Sequence, residues 1–153
     1  MMNRKLLTRV GALVLILTLL MSFTACFAAS FTASKAGISG AVVGKTLTKS
    51  MKGYKRTKYD GCTCGVASYR YRGHGLTMDT LQKKKGGSEY VMALTITSGK
   101  TLSGLKIGDK VARMEKIYGK RYSKSGSTYT YHAGSRTMKV RTKSGKVTKI
   151  SFE

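Results

Sequence analysis

The sequence predicts an α+β fold built as a tandem αβββ-αβββ repeat, antiparallel meanders with one short helix per repeat. Three observations carry that expectation. Ser68-Tyr69-Arg70-Tyr71 and Thr77-Met78 return 60 positions later as Thr128-Tyr129-Thr130-Tyr131 and Thr137-Met138. Val91, Leu94 and Ile96 return 56 positions later as Val147, Ile150 and Phe152, which puts four extra residues in the last turn of the first copy, around Lys84-Lys85-Gly86-Gly87. Lead-in segments align too, Val43-Gly44-Lys45-Thr46-Leu47 with Ile107-Gly108-Asp109-Lys110-Val111 at an offset of 64.

Each element follows from local pattern. In the second copy Asp109 is the expected N-cap. Val111, Met114, Ile117 and Tyr118 recur at helical spacing, and Gly119 supplies the left-handed stop. A Lys/Ser/Gly loop at 120–127 leads to strands Thr128–His132, Arg136–Lys143 and Lys146–Phe152, with Ser144-Gly145 as a tight turn. Val147 is out of phase with Ile150, which predicts a bulge. The first copy repeats this with a weaker helix near Thr46, Thr48, Ser50 and Gly53, then strands Ala67–Arg72, Leu76–Lys83 and Tyr90–Thr97. Segments 41–97 and 98–153 are thus the two repeats, and 27–40, rich in Ala, Ser, Gly and Thr, reads as a flexible tether.

Residues 1–26 read as a signal peptide. Arg4, Lys5 and Arg9 precede the apolar run Val10 to Met21, and small residues follow, so the mature protein is expected outside the cytoplasm. Phe23-Thr24-Ala25-Cys26 resembles the bacterial lipoprotein box, which makes Cys26 a candidate lipidation site and the protein membrane-anchored. Cleavage after Ala28 or Ala29 instead releases it as a secreted protein. Removing Cys26 leaves the pair Cys62 and Cys64, open to a disulfide or to free thiols.

Charge is the other strong signal: 29 Lys+Arg stand against 6 Asp+Glu, a formal net charge of +23. The three basic residues of the leader account for little of it. Such an excess favours polyanionic neighbours. Outside a cell these are anionic envelope polymers with phosphate backbones, membrane surfaces, an acidic envelope protein, or nucleic acid bound without sequence preference.

The stretch Thr101-Leu102-Ser103-Gly104-Leu105-Lys106-Ile107-Gly108-Asp109, the helix end Tyr118-Gly119, the strand Thr128-Tyr129-Thr130-Tyr131 and the turn Ser144-Gly145-Lys146-Val147 resemble small exported lipoproteins of Gram-positive bacteria. More broadly the build is similar to the β-lactamase inhibitor protein and to BamE-type lipoproteins. The resemblance spans residues 43–153 and is strongest from 101 onward. It implies a binding or inhibitory scaffold, not a reaction.

Alternation along the strands supplies the candidate site. If Met138 and Val140 face the core, Lys139, Arg141 and Lys143 face outward, joined by Lys149. Arg70 and Arg72 alternate with Tyr69 and Tyr71 in the same sense. These six cations form the expected polyanion-binding face. The six acids, Asp60, Asp79, Glu89, Asp109, Glu115 and Glu153, are scattered singly, which suits no paired-carboxylate mechanism, so no enzyme and no cofactor are expected. Cys62-Thr63-Cys64 lacks the paired CxxC pattern of a zinc site, so no metal site is assigned, and a Cu(I) carrier is the least favoured function. The expected function is an exported, non-enzymatic envelope or secreted binding protein. The alternative is a specific protein inhibitor or envelope assembly factor.

Overall fold

Strand β9 (Arg136–Lys143) shows how the sequence makes this fold. Met138, Val140 and Thr142 are buried while Lys139, Arg141 and Lys143 are exposed, the two-residue period of a strand with one wet face. The computed structural model describes residues 29–59 and 67–153. A small hairpin, β1 (Gly37–Ile38) and β2 (Ala41–Val42), precedes the main sheet. That sheet contains β3 (Lys55–Tyr59), β4 (Ala67–Gly73), β5 (Leu76–Gln82), β6 (Glu89–Ile96), β7 (Ser123–Ser125), β8 (Thr128–Ala133), β9 and β10 (Lys146–Phe152). Its eight antiparallel strands run in the order β3-β4-β5-β6-β10-β9-β8-β7. One helix, α1 (Val111–Tyr118), lies against it.

The two meanders therefore share one sheet, joined through their last strands. Met78 faces Leu94 in the first half just as Met138 faces Phe152 in the second. Leu94 and Phe152 are thus equivalent, and they pair with each other across β6 and β10. A local twofold axis passes between them, through the middle of the core, where both side chains are buried. This register equates residues 58 apart in the last strands, not 56. The extra residues of the first-half turn are partly absorbed by a bulge between Asp79 and Thr80, and the expected bulge at Val147 is present.

The αβββ-αβββ expectation is overturned: the protein is mostly β, and α1 is the one α-helix among the described residues. The first-half lead-in does not coil. Gly44 and Gly53 have φ of 80° and 83°, Thr46 bridges to Tyr90, and the Leu47 amide donates to the Glu89 carbonyl. Thr46, Thr48 and Ser50 are poor helix formers, and a sheet edge offers their backbone better partners than a strained helix does. The β1–β2 hairpin was not expected, nor were two short strands, β3 and β7, which border the main sheet. They carry Lys55, Arg56, Lys58 and Lys124, charges that guard an open edge against pairing with other chains.

Different covers close the core face over the two halves. In the second, α1 buries Met114 and Tyr118, and the Tyr131 hydroxyl donates to the Gly119 carbonyl at 2.9 Å. Gly119 ends the helix as expected, but with φ 79° and ψ −175°, an extended conformation open to glycine and not the left-handed helical one, whereas the N-cap is Lys110 and Asp109 instead accepts from the Lys106 amide. Over the first half lie residues 31–54, with Ala36, Ala41 and Val43 buried and Leu47, Met51 and Tyr54 packed beside them. The segment 27–40, expected as a tether, is therefore partly structural: Phe31 packs against Tyr118, Tyr131 and Phe152 with ring centroids 6.0–6.4 Å apart. Its ring thus joins the second-half core beside α1.

Among the described residues no helix is long and apolar enough to cross a membrane. The leader, Cys26, Cys62 and Cys64 lie outside the described residues.

Candidate anion-binding face

Outward positions on β4, β9 and β10 follow directly from the ladder. Arg70, Arg72, Lys139, Arg141, Lys143 and Lys149 all fall on the face opposite the core, because their strand neighbours Tyr71, Met138, Val140 and Ile150 are buried. The sheet does not gather them into one patch. Arg72 aligns with Thr77, Thr95, Ser151 and Lys139 in successive strands, so four strand spacings, about 19 Å, separate the β4 arginines from β9.

Lys139, Arg141 and Lys149 do meet. With Thr128, Ser151 and Glu153 they line an open depression of about 190 Å³. The register explains the grouping: Lys149 is opposite Arg141, which is opposite Thr128, and Ser151 is opposite Lys139. The Ser151 hydroxyl lies 2.9 Å from that of Thr95. Lys143, one step further along the face of β9, lies outside the depression beside the hairpin turn. Ser144 and Gly145, with φ of 50° and 72°, form that turn and hold Lys143 opposite Lys146.

Glu153 is the one acid in this depression. It accepts from the Lys139 ammonium at 2.9 and 3.2 Å, and both side chains are half-exposed, so the pair is weak and exchangeable. Arg141 and Lys149 have no acidic partner among the described residues. The depression thus presents two unneutralised cations, one loosely held cation and two hydroxyls on a rigid sheet. Arginine offers a planar fork and lysine a point charge, a donor set suited to tetrahedral oxyanions.

Elsewhere the carboxylates are committed. Asp79 takes two hydrogen bonds from Arg70, at 2.5 and 2.6 Å, which with its charge hold the guanidinium pKa above its ordinary value. Arg70 also lies 4.8 Å from the Tyr59 ring. Glu89 accepts from Arg56 (2.6 Å), Tyr71 (2.9 Å) and Thr80 (2.6 Å), on the core side of the first half. Arg56 stacks 3.5 Å over the Tyr69 ring. Burial first, then the bond to Glu89, raises the Tyr71 pKa. Asp109 caps the turn before α1, and Glu115 accepts from Tyr122 at 2.7 Å. Every described carboxylate accordingly accepts a hydrogen bond from within the chain.

No family model, curated protein or solved structure matches this chain.

Among the described residues no cluster of three His, Cys, Asp or Glu is placed to hold a metal ion. His74 sits at φ 47° in the β4–β5 turn, its ring edge-on to Tyr54 at 5.2 Å, and His132 lies 3.3 Å from the Thr137 hydroxyl. Sequence reasoning missed Thr128, Ser151 and Glu153. The signal was present: all three share the strand alternation of Lys139 and Lys149, but seeing them as neighbours needs the cross-strand register.

Proposed function

We propose that this chain is an exported, non-enzymatic binding protein that engages a phosphate-bearing anionic polymer of the cell envelope or its surroundings. The contact is made through the depression of Lys139, Arg141 and Lys149. The observation that carries this reading is the convergence of three cations and two hydroxyls on a solvent-facing sheet, in a chain whose net charge is +23. Long-range attraction brings the polymer in, and the depression positions it. Commitment of Asp79, Glu89, Asp109 and Glu115 to internal bonds supports binding over catalysis.

The test is titration with inorganic polyphosphate across a salt series. Affinity should fall linearly in log-log form, by about 0.7–0.9 in slope for each phosphate neutralised. Replacing Lys139, Arg141 and Lys149 by Gln should reduce the slope by about 2–3 and the low-salt affinity by about a hundredfold. Tight, salt-insensitive capture of one acidic protein, or binding to anionic vesicles with no response to polyphosphate, overturns the polymer reading.

A further inference from the structure

A second concavity, of about 220 Å³, opens at the end of the sheet that carries the β4–β5 turn. Three connections wall it: the β1–β2 hairpin with Ile38 and Ser39, the segment with Lys49 and Tyr54, and the stretch Ser98 to Lys100 after β6. Leu76 and Ile96, paired across β5 and β6, form an apolar floor. His74 and Tyr54 stand together on one side, their rings in edge-to-face contact.

The walls are held in place by backbone. The Ser98 hydroxyl donates to the His74 carbonyl at 2.7 Å, and the Thr97 amide donates to the Gly75 carbonyl at 2.8 Å. The Leu102 amide donates to the Gly37 carbonyl at 2.9 Å, and the Lys49 amide to the Gly40 carbonyl at 2.8 Å. A cleft whose three loops are tied to each other and to the sheet is largely pre-formed, as small-molecule sites are.

Its chemistry is one-sided. Lys49 and Lys100 are the charged groups that line it, no carboxylate does, and neither lysine forms an ion pair among the described residues. Ser39, Ser98, Tyr54 and His74 add polar atoms above the apolar floor. The volume is below the roughly 300–1,000 Å³ of drug-sized sites and suffices for one ring or a short chain. We propose that this cleft binds a small organic monoanion, a carboxylate head between Lys49 and Lys100 on an apolar body resting against Ile38, Leu76 and Ile96. Lysines are point charges that select by sign and not by shape, so the apolar body supplies the discrimination.

This site is separate from the depression on the outer face and does not depend on the polymer reading. The experiment follows backbone amide shifts of the full mature chain at fixed ionic strength. Benzoate and hexanoate should give saturable shifts at Gly75, Leu76 and Gly99. Acetate, a head without a body, and benzyl alcohol, a body without a charge, should bind at least tenfold more weakly. The double variant Lys49→Gln, Lys100→Gln, with an otherwise superimposable spectrum, should lose about tenfold in benzoate affinity. Equal binding of acetate and benzoate, shifts centred on Lys139 and Arg141, or full affinity in the double variant each overturn the proposal. Polyphosphate should leave the benzoate affinity unchanged.

Discussion

Lys139, Arg141 and Lys149 in the second half stand where the first half has Asp79, Leu81 and Tyr90. The ladder makes the equivalence: Asp79 pairs with Ala93 as Lys139 pairs with Ser151, and Leu81 with Tyr90 as Arg141 with Lys149. One duplicated meander thus carries a cationic depression, while its twin carries an acid that ties down Arg70. Inside, the contrast runs through the covers: the end of α1 packs on Tyr131, whereas the first-half cover carries only the short β1–β2 hairpin and is bonded to β6 through Gly44, Lys45 and Leu47. The shared residues hold the sheet, and the residues that differ are those free to acquire a partner.

The largest effect should come from the covers. Met114, on the inner face of α1, is fully buried, so Met114→Ala should cost about 2–5 kcal/mol through lost burial and a cavity. Leu47, half-buried on the first-half cover, should cost only about 1 kcal/mol as Leu47→Ala. Urea denaturation of both variants measures the difference, and equal losses would break the distinction between the two covers at these positions.

High pH should expose the same core from its tyrosines. Burial, ahead of neighbouring charge, raises the pKa of Tyr131, and burial likewise raises that of Tyr118. A group with a raised folded-state pKa stabilises the fold below its unfolded value, about 10 for tyrosine, and that contribution is lost as pH climbs toward the folded value. The melting temperature should therefore hold to about pH 10 and fall above it, with tyrosinate absorbance lagging the model-compound curve. Tyr131→Phe should flatten the alkaline decline. Normal tyrosine titration without loss of melting temperature would contradict the buried hydroxyls.

The smallest effect concerns Glu153, which occupies Lys139 as a carboxylate stand-in for the ligand. Glu153→Gln should strengthen polyphosphate binding by a few-fold, since an exposed pair of this kind contributes at most about 1 kcal/mol. Calorimetric titration at low salt would show it. Weaker binding in that variant would mean that Glu153 orients Lys139 toward the ligand and does not compete for it.

Much of the sheet was legible in the sequence because strands β8 and β9 alternate throughout, β10 alternates beyond its bulge, and the turn at Ser144-Gly145 has clear chemistry. The outward direction of all six cations came from the same alternation. What sequence could not supply was register. Similarity in Val91/Val147 and Leu94/Ile150 suggested one alignment, while hydrogen bonding with a bulge chose another two residues away. The helix expected near residues 46–53 failed because repeat logic overrode local propensity, and Thr46, Thr48 and Ser50 followed propensity. Glu153 and Ser151 were invisible as site residues since only cross-strand pairing sets them beside Lys139.

The most direct test sets the two halves against each other at equal charge. Lys139, Arg141 and Lys149 are changed to Gln in one variant, and Lys83, Lys84 and Lys85, all exposed at the first-half turn, in another. Polyphosphate affinity is then measured over a salt series. The account predicts about a hundredfold loss and a shallower salt slope for the first variant, and a loss of only a few-fold for the second. Equal losses in both would show that net charge alone binds the polymer and that the depression has no part in it.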